Sequence, residues 1–85
     1  MMRTIWKFQV AEQVDMPPAS RIIKVDYDGN GDLCIWAIVN PNAEERITRY
    51  FDVIGTGIPY DESDWRYIGT VMKDPFVWHV IERIY

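Results

Sequence analysis

The chain has one cysteine, one histidine and no apolar run longer than seven residues. Each scarcity removes a class of protein. Cys34 cannot close an internal disulfide; set within an apolar stretch, it reads as a small buried hydrophobe, in keeping with a reducing compartment. His79 has no Ser or Cys motif to activate, and no Cys or carboxylate grouped with it to share a metal. With no nucleophile–base pair, no paired carboxylates at fixed spacing and no metal cluster, the expectation is a protein that is not an enzyme and needs no cofactor. Seven apolar residues are far short of the about 20 a membrane helix needs, and no charged-then-apolar leader or lipidation signal is visible, so a soluble cytoplasmic protein away from membranes is expected. Basic residues are also short: 9 Lys and Arg against 13 Asp and Glu leave a net charge of −4, which argues against wrapping duplex nucleic acid. No helical period of useful length appears.

Aromatic residues, by contrast, are plentiful. Four Trp, five Tyr and three Phe in 85 residues exceed what one small core can cover. A chain of this length forms a single domain, 1–85, that buries only roughly 60–65% of its unfolded surface. Association would stabilise it, and a homo-oligomer is expected.

The apolar run Leu33–Val39 is rich in Ile, Trp and Val and apolar at every position, the pattern of a central strand covered on both faces. Thr4–Val10 alternates, with Trp6, Phe8 and Val10 inward. Ala11–Ser20, broken by Pro17-Pro18, reads as an extended connection. Arg21–Tyr27 alternates with Ile23, Val25 and Tyr27 inward, and Asp28-Gly29-Asn30-Gly31-Asp32 makes a hairpin turn into the central strand. After the Asn40–Glu45 turn, Arg46–Ile54, Trp65–Met72 and Phe76–Tyr85 complete about six mostly antiparallel strands. The fold class is all-β, a sandwich or a small barrel, with Gly55 and Gly69 placed where a bulge or a sharp bend would fall.

Two motifs carry potential chemistry. Asp26–Asp32 matches the first seven positions of a calcium-binding EF-hand loop, but the bidentate Glu required at position twelve is Ala37 and the flanks are strands, so the stretch is a turn. Gly55-Thr56-Gly57 is a Gly-x-Gly without the third glycine of a dinucleotide loop. Its glycines let a backbone approach a flat ligand, Thr56 offers a hydroxyl, Arg49 lies upstream, and Tyr60, Trp65 and Tyr67 follow. These seven residues form the expected ligand site, suited to a planar anion of nucleotide type.

The order Trp36-Ala37-Ile38-Val39-Asn40-Pro41, Ile54-Gly55-Thr56-Gly57, Tyr67-Ile68-Gly69-Thr70 and Val77-Trp78-His79-Val80 resembles a family of short uncharacterised proteins from tailed phages. The resemblance covers nearly the whole chain and implies a phage origin and a β fold, with no assigned activity. By analogy of size, setting and oligomerisation, the chain is similar to phage sponge proteins that sequester nucleotide immune signals. Two functions follow as expectations: an oligomeric, non-catalytic protein sequestering a nucleotide-type host immune signal, or an acidic interaction protein that binds and inhibits a host defence protein.

Overall fold

A computed structural model describes residues 2–84. The described residues form seven strands: β1 (Thr4–Gln9), β2 (Gln13–Met16), β3 (Arg21–Tyr27), β4 (Leu33–Val39), β5 (Ile47–Gly55), β6 (Trp65–Lys73) and β7 (Phe76–Arg83). All pairings are antiparallel, in a three-stranded sheet of order β1-β4-β3 and a four-stranded sheet of order β2-β5-β7-β6. The fold is all-β and sandwich-like. It is not a closed barrel, because β3 and β6, one edge from each sheet, meet without forming a ladder. No helix among the described residues is long and apolar enough to cross a membrane.

The run Leu33–Val39 is strand β4 and sits at the centre of its sheet. Ile35, Ala37 and Val39 are fully buried and pack with Val14, Met16, Phe51 and Val80 from the other sheet. Burial of a Val, Ile or Met side chain contributes about 1.5–3 kcal/mol, so this cluster is the main apolar contribution to stability. The opposite face of β4 is only partly covered. Cys34 is buried there, whereas Trp36 is half-buried beneath the Lys24 ammonium, 5.7 Å from its ring centre. Burial, reinforced by the Asp28 charge, pushes the Cys34 thiol up, away from a reactive thiolate.

The expected connection Ala11–Ser20 contains a strand, so the described residues form seven strands and not six. The prolines stand just beyond it, at positions 17 and 18, and Gln13–Met16 alternates cleanly, with Val14 and Met16 buried against β5. The chain changes sheets in two residues: the Val10 amide still donates to the Leu33 carbonyl (2.8 Å), while the Glu12 carbonyl already accepts from the Phe51 amide (3.0 Å).

β3 also departs from the expected alternation. A bulge between Ile22 and Lys24 puts Ile22 against the core and leaves Ile23 outside, after which Val25 resumes the inward series. β5 begins one residue later than expected, at Ile47. The final strand ends at Arg83; its expected last residue, Tyr85, lies outside the described residues.

The turn after β3 is built by Asp28, whose Oδ1 accepts from the amides of Asn30 (2.9 Å) and Asp32 (3.0 Å), while Gly31 takes φ +82°. Its Oδ2 accepts from Lys7 Nζ at 2.9 Å. The Lys7 bond first, and then the turn amides, lower the Asp28 carboxyl to about 2. This carboxylate holds the third position of the calcium-loop pattern, and its oxygens are directed at its own turn and at β1.

Candidate functional site

The two bulges of the fold face each other. Ile23, the extra residue of β3, and Ile68, the extra residue of β6, both line one cleft of about 400 Å3 where these two strands diverge. Beyond it the strands pinch together at Val25 and Gly69, so closely that a Cβ on Gly69 would collide with Val25 Cγ1. A bulge bends a strand and re-aims its side chains, so the pair opens a wedge between two sheets that are otherwise in contact.

Charge collects in this wedge. Arg21 and Lys24 come from β3, Arg49 from β5 and Arg66 from β6: four of the nine Lys and Arg residues of the chain, against one of its 13 acidic residues, Glu82 of β7. Glu82 is the floor, its side chain 4% exposed. Arg49 binds it through both Nε and Nη2, the latter at 2.7 Å from Oε1, and donates its Nη1 to the Ser20 carbonyl at 2.7 Å. Arg66 donates Nη2 to the same Oε1 at 3.0 Å from a side chain 58% exposed. Burial alone would push Glu82 up, but the hydrogen bonds and charges of Arg49 and Arg66 outweigh it and hold the carboxyl below its usual range. Arg21 is exposed and has no ion-pair partner among the described residues, and Lys24 has Asp26 at 3.8 Å with both side chains open to water.

Tyr67 stands on the lip of the cleft, half exposed, with its hydroxyl on Thr70 Oγ1. From there a chain of hydrogen bonds crosses the outer face of the sheet: Thr70 Oγ1 to His79 Nδ1 at 2.9 Å, and His79 Nε2 to Thr56 Oγ1 at 2.7 Å. The chain follows from register. Thr70 lies opposite His79 on β7, and His79 opposite Ile54, two residues before Thr56. Both imidazole nitrogens are therefore occupied by hydroxyls, and no carboxylate orients the ring. The chain holds the Tyr67 hydroxyl on the outer face of the sheet.

The seven residues expected to form one ligand site are distributed over three places. Arg49 and Tyr67 share the basic cleft. Trp65 lines a second cleft of about 390 Å3, where the Arg83 guanidinium lies between its ring (5.0 Å) and that of Tyr50 (5.7 Å). Gly55, Thr56 and Gly57 form a tight turn, closed by the Ile58 amide on the Gly55 carbonyl (3.2 Å) with Gly57 at φ +91°. Arg49 is roughly 20 Å away along β5. Tyr60 is exposed in the loop that follows. Thr56 reaches the cleft only indirectly, through His79 and Thr70 to Tyr67.

Sequence reasoning passed over Glu82, Arg21 and Lys24, and left Arg66 and His79 outside the expected site. Glu82 had a signal: a charged residue following Val80-Ile81 in an otherwise apolar strand either is exposed or has partners. The bulges that gather the cations had none beyond Gly69.

No curated protein and no solved structure matches the chain. A family model spans all of it, residues 1–85, and the chain belongs to a domain family of unknown function, DUF7352.

Proposed function

We propose that this protein is a non-catalytic binding protein whose ligand is a small planar anion of nucleotide type, held in the cleft between β3 and β6. One observation carries the reading: an acidic chain places four cations around a single cleft and only one carboxylate, itself already taken by Arg49. Guanidiniums in such a setting present planar forks suited to phosphate or carboxylate, and an aromatic ring at the lip offers a stacking surface for a base. The resemblance to tailed-phage proteins supports a reading in which the molecule acts in the cytoplasm of an infected cell, where an oligomer of it would sequester a nucleotide immune signal. No reaction is assigned. The hydroxyls around His79 have no carboxylate behind the imidazole.

Native mass spectrometry of the protein expressed in a bacterial host tests this directly, because it reads oligomer and passenger together. A small anionic passenger that is released by heating, and that is lost in the Arg66→Ala variant, is the expected result. A preparation free of any passenger, with one host protein co-purifying through the acidic loop 61–64, would replace this reading with an interaction protein.

A further inference from the structure

The charges of the cleft do not cancel evenly, and the remainder says which anion fits. Arg49 and Glu82 are joined by two hydrogen bonds and neutralise one another. Arg66 gives Glu82 a single bond at 3.0 Å from a side chain that lines the cleft and is largely open to water. Arg21 has no ion-pair partner among the described residues, and Lys24 lies over the Trp36 ring with Asp26 at 3.8 Å. Two guanidiniums thus line one opening without a matching negative charge, and the Lys24 ammonium, over the Trp36 ring, lies at its margin. We infer that the cleft takes a terminal phosphate monoester, a dianion, seated between Arg21 and Arg66.

This inference rests on the reading of the cleft as the ligand site. A monoester near neutral pH carries close to two negative charges and three terminal oxygens, whereas a cyclic or internal diester carries one charge and two such oxygens. Arg66 can turn an edge of its guanidinium to one oxygen pair because Glu82 already fixes its orientation. Glu82 acts here as a positioning residue: Arg49 absorbs its charge, so it aims Arg66 without repelling the ligand. Tyr67, whose hydroxyl is held by Thr70, also lines the cleft, which suits a phosphate attached to a flat ring system.

The test is calorimetry on the full chain with four probes: adenosine 5′-monophosphate, 3′,5′-cyclic adenosine monophosphate, adenosine and inorganic phosphate. The monoester should bind at least ten-fold more tightly than the cyclic diester, and inorganic phosphate should compete with it. Arg66→Ala and Arg21→Ala should each weaken monoester binding ten-fold or more. Arg66→Lys, which keeps the charge and loses the fork, should fall between. Both arginines are exposed, and thermal melts of the variants confirm that they remain folded. Equal or tighter binding of the cyclic diester, still lost in Arg66→Ala, would overturn the monoester inference and leave the cleft as the ligand site. Absence of binding by either nucleotide, or monoester binding unchanged in Arg21→Ala and Arg66→Ala, would overturn both.

Discussion

At Glu82 a carboxylate almost out of contact with water meets two guanidiniums, and the arrangement ties together β5, β6, β7 and the connection before β3. Removing the charge leaves Arg49 and Arg66 facing each other with no anion between them. Breaking a buried pair by deleting one partner costs about 3–5 kcal/mol, and the exposure of Arg66 puts the expected loss for Glu82→Gln at about 3 kcal/mol, read by urea unfolding. The pH dependence follows from the sign of the shift. Glu82 is held lower in the folded state than in the unfolded chain, so its contribution is complete above the unfolded value of about 4.3 and is lost as pH falls through the folded one. Asp28, lowered to about 2, adds to the same acid loss. Wild-type stability should therefore fall more steeply as pH drops below about 5 than that of Glu82→Gln; parallel profiles would count against the ion-pair account. Arg49 shows why side-chain roles were harder to read than strands. Its position on a strand feeding a glycine-rich turn suggested a ligand contact, and only the β5–β7 register, with Phe51 opposite Glu82, reveals a carboxylate within its reach.

The elements themselves were largely legible where a local pattern sufficed. β3 and β4 run from Arg21 to Tyr27 and from Leu33 to Val39, as apolar continuity and the Asp28–Asp32 turn indicate, because a seven-residue apolar run fits strand geometry and the turn residues leave little alternative. β2 was hidden by the prolines that follow it, since four residues give alternation little room to show. The bulges were hidden for a different reason. An extra residue is set by how two sheets meet, and only Gly69 carried a trace of that meeting. There the fold allows a direct test. A methyl on Gly69 collides with Val25, so Gly69→Ala must push β3 from β6 or shift the bulge, at a cost of about 1–3 kcal/mol. Val25→Ala should be destabilising alone, through a lost contact with the core, yet should recover part of the loss when combined with Gly69→Ala. Additive losses in the double variant, measured by chemical denaturation, would mean that the two strands do not depend on this contact.

For the whole molecule the question is what covers its aromatic surface. The described residues span 41 × 32 × 17 Å with a radius of gyration of 13.4 Å, a slab rather than a sphere. A compact chain of this length would have a radius of gyration of about 12 Å. Flatness leaves surface uncovered, and the rings show where. Of the twelve aromatic residues, eleven fall within the described residues, and only Phe51 is buried; Tyr50, Tyr60, Tyr67 and Phe76 are exposed and the other six half-buried. Some of this area is occupied by cations, as with Lys24 on Trp36, Lys73 on Tyr27 and Arg83 between Tyr50 and Trp65. Phe76, stacked on Trp78 at 5.7 Å, has no such cover among the described residues, and Ile58 and Met72 add exposed apolar area. An exposed aromatic and aliphatic surface of this kind on so small a core favours association with an identical copy, which would bury it symmetrically. Light scattering at high micromolar concentration should therefore give at least twice the monomer mass of 10.1 kDa. The melting temperature should fall on dilution, because only the associated form gains the extra burial. A mass of one chain, with a melting temperature independent of concentration, would show that the slab is stable alone; the oligomeric part of the binding model would then fall, and the basic cleft would have to act within a single copy.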